Sequence, residues 1–473
     1  MSWDSITAIA QSVQSGSASA SELVEKSLKL IEEHLEFQAI IAMTDDRARA
    51  RAKDIDERIA KGEKIGRLAG VPFIAKDNFL VFGADTTASS NILKGFDAPY
   101  QATAVEKLEA EGAICVAKSN MDAFGHGAST ENSDMYTTKN PHDKTKVPGG
   151  SSGGSAAAVV LGMAPFALGT DTGGSIRQPA SFSGLVGMRP TYGLISRSGV
   201  IAMASSTDTI GVLTNTVDDT ALLIDILAGQ DPLDSTTIER QVDYATLQPD
   251  LRGKKIGVIK EYFGDGLDPK VQTQITEAID QLKSAGAEVS EVSLPSLPLA
   301  LAVYYIVCPA EISSNLARYD GQRFGHHLKS SVDITESYEK ARQEGFGTEA
   351  KRRIMIGAYV LSSGYYDAYY KKAQTVRTKL INEFNEVFKT VEFLAGPTAP
   401  TTAFMIGQNS ADPLAMYLGD IMTVGASMVG VPAISVPCGL VDGMPVGIQL
   451  MAPQRKDKEL LELAKAYEDL RAA

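Results

Sequence analysis

Three separated stretches of the chain carry side chains that could do nucleophilic or acid–base chemistry. Lys76 ends the apolar run GVPFIAK, where a charged lysine is costly to bury. Ser151 lies in Gly149–Ser155, which contains only glycine and serine, and Ser175 ends the turn GTDTGGS. A lysine that loses its proton could activate a serine hydroxyl, which is a poor nucleophile by itself. Equally, Lys76 could reach the surface or pair with Asp77, and the turn could be a plain tight turn.

The glycine–serine segment matches other known motifs poorly. A phosphate-binding loop needs a lysine after its glycines, and a dinucleotide fingerprint needs a strand before them. Here AAAVVLG follows directly, which also argues against a flexible linker, and the polar stretch TTKNPHDKTKVP precedes. The Gly-x-Ser-x-Gly matches at 149–153 and 150–154 resemble a nucleophile elbow, which needs a preceding strand and a later histidine. The only later histidines, His326 and His327, lie in the polar segment RFGHHLKSS. Serine chemistry without histidine is therefore favoured.

The hydrophobic pattern alternates between amphipathic helices and short apolar strands. Ser17–Leu35 is predicted as a helix with a Ser19/Glu22 capping box, and Gly70–Val81 as a buried strand. The alternation predicts an α/β fold with one large, mostly parallel mixed sheet that helices cover on both faces. We expect one domain over residues 1–473, with N-terminal helices over about 1–65, a core over 66–220, a helical insertion over 297–390 and a return to the sheet over 391–473.

Composition limits the classes of function. The 473 residues carry a net charge of −13, which argues against unaided nucleic-acid binding, because that depends on Lys and Arg neutralising phosphates. Cys115, Cys308 and Cys438 lie far apart, so neither a disulfide framework nor a zinc site is indicated and no metal is expected. Since the N-terminus shows no leader pattern and no window holds about 18 uninterrupted apolar residues, we expect a cytoplasmic protein without a membrane contact.

The three stretches together are more specific than each alone. Ser151 follows Lys76 by 75 residues, and Ser175 follows Ser151 by 24. In this order, the segments PGGSSGGSAAAV and GTDTGGSIRQPASFSGLVGMRPTYG resemble the amidase signature family. The resemblance implies the amidase-signature fold and a Ser–cis-Ser–Lys triad, with Ser175 as nucleophile, Lys76 as base, and Ser151 as the relay after a cis peptide bond. It also implies an oxyanion hole made by the backbone amides of Thr172, Gly173, Gly174 and Ser175.

A narrower resemblance runs over nearly the whole chain. NMDAFGHGASTENS, KRRIMIGAYVLSSGYYDAYYKKAQTVR and GVPAISVPCGLVDGMPVGIQLMAP are similar to the A subunits of tRNA-dependent amidotransferases. This implies an amidotransferase component that hydrolyses glutamine, so that the ammonia can convert Glu-tRNA(Gln), Asp-tRNA(Asn) or both. It further implies that Arg353 binds the α-carboxylate of glutamine and Asp420 its α-ammonium, with Tyr304 as a nearby hydroxyl donor.

The same resemblance implies a heterotrimer. A B subunit would hold the tRNA and use ATP and Mg²⁺, and a small C subunit would wrap this chain, which itself is expected to bind no cofactor. The chain departs from the family at Ala123, where Glu is usual, at Gly125 and His126, where Ala-Met is usual, and at Leu194, where Arg is usual. Two alternatives stay open: a free-standing amidase acting on another small amide, and a non-catalytic scaffold subunit.

Overall fold

The strands of the chain are short and mostly buried, as the apolar runs in the sequence predict. The computed structural model describes residues 3–328, 333–410 and 412–472. Its strands are β1 (Ile40–Met43), β2 (Pro72–Lys76), β3 (Ile114–Ser119), β4 (Phe166–Asp171), β5 (Val186–Arg189), β6 (Thr209–Thr214), β7 (Lys255–Ile259), β8 (Glu288–Val292), β9 (Phe393–Pro397), β10 (Ala433–Val441) and β11 (Met444–Met451). They form one sheet in the order β1-β3-β2-β4-β6-β5-β10-β11-β9-β7-β8.

The sheet is mixed, and its pairing is less parallel than the sequence predicts. Within the described residues, parallel pairing is confined to two groups, β3-β2-β4 and β9-β7-β8. The other neighbouring strands, including those at the centre of the sheet, are antiparallel. The expectation of a mostly parallel sheet is therefore wrong, because a strand buried on both faces reads as an apolar run in either direction. The α/β class and the large mixed sheet are confirmed.

Helices pack on both faces of this sheet. They are α1 (Ile6–Gln14), α2 (Ala20–Glu33), α3 (Asp45–Ala60), α4 (Thr103–Ala110), α5 (Gly153–Val160), α6 (Arg177–Ser183), α7 (Val217–Leu227), α8 (Pro269–Ser284), α9 (Ala300–Asn315), α10 (Ile334–Gly345), α11 (Thr348–Val360), α12 (Lys372–Val387), α13 (Pro413–Leu418), α14 (Val424–Val429) and α15 (Asp457–Ala472). Every residue of β2, β3 and β4 is buried, which requires cover on both faces. Ser19 caps α2 by accepting the N–H of Glu22, as the predicted capping box requires.

The segment predicted as a helical insertion contains α9 to α12. Helix α9 packs against α11, α12 and α14. It belongs to the helical segment Leu297–Arg318, the one part of the described chain long and apolar enough to cross a membrane by length and composition, with a mean hydropathy of 1.4. Half of this segment is buried, and Val303, Val307 and Ile312 belong to the hydrophobic core. A core helix of a globular protein satisfies the same criteria.

Candidate active site

The candidate residues meet because two parallel strands end at the same edge of the sheet. Strand β2 ends at Lys76, and its parallel neighbour β4 ends at Asp171, just before the turn that holds Ser175. The carboxyl ends of parallel strands lie together, which brings the lysine and the turn to one place. The glycine–serine segment joins them there, since Ser151 contacts Lys76 directly before α5 begins.

Lys76 is fully buried among hydroxyl groups. Its Nζ lies 2.7 Å from Ser151 Oγ, 2.9 Å from Ser152 Oγ and 3.0 Å from Thr170 Oγ1. Burial lowers the pKa of Lys76 to about 7, although nearby carboxylates act in the opposite direction. A substantial fraction of this amine is therefore neutral near pH 7 and able to accept a proton.

The other placements of Lys76 that the sequence left open are wrong. Its side chain is 0% exposed, so it does not reach the surface. Asp77 pairs instead with Lys118, 2.9 Å away, and accepts the N–H of Thr87 at 3.0 Å. No carboxylate in the described part of the chain forms a salt bridge with Lys76, which leaves the amine free to act as a base.

Close packing holds the loop that carries Ser151. The peptide bond between Gly150 and Ser151 is cis, as the resemblance implies. Gln178 Oε1 accepts the N–H of Gly150 at 2.8 Å, and Gln178 Nε2 donates to the Ala128 carbonyl at 2.9 Å. The buried Asp122 carboxylate lies so close to Gly150 that an added Cβ would overlap with it. Gln178 and Asp122 therefore hold the backbone at Gly150, directly before Ser151.

Ser175 is held next to the same loop by the backbone. The N–H of Ser152 donates to the Ser175 carbonyl at 3.1 Å. Within the described residues, the Ser175 hydroxyl forms no hydrogen bond, and neither do the amide N–H groups of Thr172, Gly173, Gly174 and Ser175. A free hydroxyl beside unpaired amides is what attack on a carbonyl and stabilisation of the resulting oxyanion require.

A buried ion-pair network lies next to the turn that holds Ser175. Asp171 accepts a hydrogen bond from Arg177 Nη2 at 2.8 Å and lies 3.3 Å from Arg189 Nη1. Although burial acts to raise the pKa of Asp171, these two guanidinium groups hold it well below its ordinary value. Asp171 also accepts the N–H of Ile176 at 3.3 Å. The charged network thus ties the end of β4 to the start of α6, with the turn between them.

The residues predicted to bind glutamine form a neighbouring cluster. Arg353 is 2% exposed, donates from Nε to Glu349 at 2.8 Å, and lies over the ring of Tyr305. Tyr305, rather than Tyr304, donates to Asp420 at 2.9 Å. Burial raises the pKa of Asp420 to about 7, even though the Tyr305 hydrogen bond and the Arg353 charge lower it. The structure thus brings Arg353 and Asp420 into one cluster through Tyr305.

Tyr304 connects this cluster to the turn. A Cβ added to Gly173 would lie 2.8 Å from the Tyr304 hydroxyl oxygen, so the ring packs directly on the turn. A cleft of about 240 Å³ opens beside Arg353, and its walls include Asp122 and His126. His126 is fully buried and neither of its ring nitrogens has a hydrogen-bond partner in the described chain. The cleft carries groups of both charges, which suits a zwitterionic ligand.

Three residues of the site were not chosen from the sequence. Asp122 lies just after the buried strand β3, and Lys76 lies at the end of the buried strand β2. Polar residues at the end of a second buried strand could therefore have indicated that Asp122 belongs to the site. Gln178 lies within the matched turn motif, but nothing in its position along the chain shows that it holds Gly150. The sequence does not show which of the adjacent residues Tyr304 and Tyr305 faces Asp420, because this depends on how α9 is rotated about its axis.

The other serines of the glycine–serine segment are bonded to neighbouring polar groups. Ser152 donates to the Thr170 carbonyl at 3.3 Å, and Ser155 lies 2.7 Å from Ser119 Oγ. His326 is partly exposed and lies 3.2 Å from Glu344. It has no contact with the candidate serines, so the structure gives the histidine-dependent elbow no support.

The chain belongs to the amidase family, whose sequence pattern matches residues 22–461. This assignment agrees with a serine–lysine site at the edge of a large mixed sheet. Two relatives are more specific. The chain is 49% identical over 459 residues to the A subunit of glutamyl-tRNA(Gln) amidotransferase from Geobacillus thermodenitrificans, covering 96% of this chain and 95% of the relative. It is 50% identical over 465 residues to the same component from Koribacter versatilis, covering 98% and 97%.

Solved structures agree with these relatives. The A subunit of glutamyl-tRNA(Gln) amidotransferase from Thermotoga maritima matches with a TM-score of 0.79 and 39% identity, over 95% of this chain and 91% of that one. A bacterial aryl acylamidase of the amidase signature enzymes matches with a TM-score of 0.87 and 27% identity, over 99% and 96%. The family resemblance predicted from the motifs is confirmed, whereas the roles of the individual site residues stay predictions.

Proposed function

We propose that this chain is the glutaminase component of a tRNA-dependent amidotransferase, a carbon–nitrogen ligase that takes its nitrogen from glutamine. The observation that carries the proposal is the fully buried Lys76, 2.7 Å from Ser151 Oγ, at the sheet edge that also holds Ser175. The 50% identity to an amidotransferase A subunit over almost the full length favours glutamine as the amide that this site cleaves.

The first half of the reaction forms an ester. Neutral Lys76 accepts the proton of the Ser151 hydroxyl, while Ser151 takes the proton of Ser175. Ser175 Oγ then attacks the side-chain amide carbon of glutamine and gives a tetrahedral intermediate. When the proton returns through Ser151 to the amide nitrogen, the carbon–nitrogen bond breaks. Ammonia leaves, and a γ-glutamyl ester stays on Ser175.

The turn stabilises both tetrahedral intermediates. The unpaired amide N–H groups of Thr172, Gly173, Gly174 and Ser175 are the donors for the oxyanion, and losing one such donor costs about 3 kcal/mol of barrier. Water then attacks the ester and transfers a proton through the same relay. Glutamate is released, and the Ser175 hydroxyl is restored.

Recognition of glutamine uses the charged cluster. Arg353 donates to Glu349 from Nε, and its two terminal nitrogens make no hydrogen bond to other described residues. These terminal nitrogens are therefore available for the α-carboxylate. Asp420 takes the α-ammonium. Since burial raises the pKa of Asp420 to about 7, a bound ammonium group would favour its charged form. Tyr304 contributes a hydroxyl next to the turn.

The ammonia serves a partner. We place the chain in a cytoplasmic heterotrimer, in which a B subunit holds the tRNA and uses ATP and Mg²⁺ while a small C subunit wraps this chain. The net charge of −13 supports this division, because a chain with that charge is poorly suited to hold a polyanion by itself. Glu-tRNA(Gln), Asp-tRNA(Asn) or both are the acceptors.

Amide transfer in the assembled complex tests the proposal. Co-expressed with B and C subunits, the chain should release ammonia from glutamine and pass it to aminoacyl-tRNA when ATP and Mg²⁺ are present, and Ser175→Ala should abolish both. Hydrolysis of aryl or peptide amides in preference to glutamine would favour the free-standing amidase, which the match to an aryl acylamidase makes the second candidate. Complete absence of amide hydrolysis would favour the scaffold.

A further inference from the structure

Lys76 contacts more hydroxyl groups than a proton relay needs. A neutral amine has two N–H donors and one lone pair, and three hydroxyl oxygens of the described residues lie within 3.0 Å of Nζ: those of Ser151, Ser152 and Thr170. Only one hydroxyl can donate its proton to the lone pair, so the other two must accept an N–H. Lys76 can serve as the base for Ser151 only if the Ser151 hydroxyl donates to the lone pair while the other two hydroxyls accept the N–H bonds.

Ser152 is committed as an acceptor. Its hydroxyl donates to the carbonyl oxygen of Thr170 at 3.3 Å, so its proton is already engaged. The Ser152 oxygen therefore receives one N–H of Lys76 across the 2.9 Å contact. This leaves Thr170 and Ser151 for the second N–H and the lone pair.

Thr170 is the second acceptor. Its Oγ1 receives a hydrogen bond from Asn78 Nδ2 at 3.1 Å and lies 3.0 Å from Lys76 Nζ. A hydroxyl oxygen has two lone pairs, so Thr170 can accept from both nitrogens at once. With both N–H bonds of the amine occupied, its lone pair is left for Ser151, which makes the shortest of the three contacts, at 2.7 Å.

We propose that Thr170, held in place by Asn78, is a positioning residue of the reaction: together with Ser152 it turns the lone pair of neutral Lys76 toward the Ser151 hydroxyl. Thr170 acts through Lys76 rather than on the substrate. The role rests on the relay of the proposed function and explains why Lys76 takes its proton from Ser151 rather than from the other two hydroxyls.

Removal of the Thr170 hydroxyl tests this role. In Thr170→Val, which keeps the branched shape, kcat for glutamine should fall about tenfold or more with KM unchanged, because the amine is no longer oriented. Thr170→Ser restores the hydroxyl and should recover most of the loss. Ser155→Ala is the matched control. It removes a fully buried hydroxyl bonded to Ser119 and to the Leu168 carbonyl, so it should lower Tm without changing kcat.

The pH profile of kcat separates orientation from general damage. The Thr170 hydroxyl accepts a hydrogen bond from the ammonium form of Lys76, so its removal disfavours the charged form. The low-pH limb of kcat, expected near pH 7 in the wild type, should therefore move to lower pH in Thr170→Val. Asp122, Asp171 and Asp208 also act on the charge of Lys76, but they are unchanged in the variant.

The positioning role of Thr170 and the relay through Lys76 are refuted by different results. Wild-type kcat in Thr170→Val, or a loss that Thr170→Ser does not recover and that leaves the pH limb in place, overturns the positioning role. If Thr170→Val does not fold, Asn78→Leu removes the group that holds Thr170, and its kcat should fall in the same direction by a smaller factor. An active Lys76→Met variant would overturn the relay itself. If Lys76→Met is inactive but Thr170→Val is fully active, only the positioning role of Thr170 is overturned.

Discussion

Replacing Gly174 by alanine would displace the turn proposed as the oxyanion hole without removing any of the side chains proposed to react. Gly174 has φ +149°, a conformation that residues with a side chain rarely adopt, and an added Cβ would lie 2.7 Å from Thr423 Cβ. Since ordinary carbon–carbon contacts are about 3.5–4.0 Å, the turn must move by about 1 Å. The amides proposed to face the oxyanion move with it.

A shift of this size has a large expected effect on the rate. Misplacement by about 1 Å costs about 100-fold, and loss of one oxyanion donor costs about 3 kcal/mol, which is a similar factor. We therefore expect kcat for glutamine to fall about 100-fold or more in Gly174→Ala. KM should change less than kcat, because Arg353 lies on a different element, α11, although Thr423 donates a hydrogen bond to the carbonyl oxygen of Asp420.

Steady-state ammonia release measures this effect, and Gly95→Ala is the matched control. Gly95 also has a positive φ, +76°, but nothing lies within 4 Å of its added Cβ. Its substitution should cost about 1–3 kcal/mol of backbone strain with wild-type kcat. If Gly174→Ala kept kcat within about threefold of the wild type, the turn would not be the oxyanion hole.

Wild-type kcat should fall as the pH drops below about 7, because protonated Lys76 cannot act as a base, and Lys76→Met should abolish turnover at every pH. A flat profile between pH 5 and 8 would contradict this role. Arg353→Lys should raise KM for glutamine about tenfold with little change in kcat, since lysine cannot grip a carboxylate with two parallel donors; an unchanged KM would argue for the free-standing amidase. Asp171→Asn leaves Arg177 and Arg189 buried without a counter-charge, so urea denaturation should show a loss of about 3–5 kcal/mol in the free energy of unfolding, and a loss under about 1 kcal/mol would refute the supporting role of this network.

The sequence was most informative where the backbone packs closely. Gly150 lies against Asp122, and Gly174 lies against Thr423, so neither position has room for a side chain. Because both positions require glycine, the close packing is visible in the sequence as glycine–serine motifs, and these motifs contain Ser151 and Ser175. The predicted helix 17–35 was equally accessible, because its capping box and its apolar face are both local properties.

Features that depend on long-range geometry were not accessible from the sequence. Strand direction is one, since β4 and β6 are both fully buried and pair antiparallel, although their composition would suit parallel pairing as well. The choice between Tyr304 and Tyr305 is another, because it depends on the rotation of α9 relative to Asp420. Domain limits and the catalytic roles of single residues stay predictions.

Covalent labelling of Ser175 shows whether this serine is the nucleophile and whether Lys76 activates it. Wild-type chain, Ser175→Ala and Lys76→Met would each be treated with a fluorophosphonate probe, followed by intact mass measurement and peptide mapping. We expect a single adduct on the peptide that contains Ser175 in the wild type, no adduct in Ser175→Ala, and greatly slowed labelling in Lys76→Met. An adduct on a different residue, or equal labelling of Lys76→Met and the wild type, would contradict this expectation.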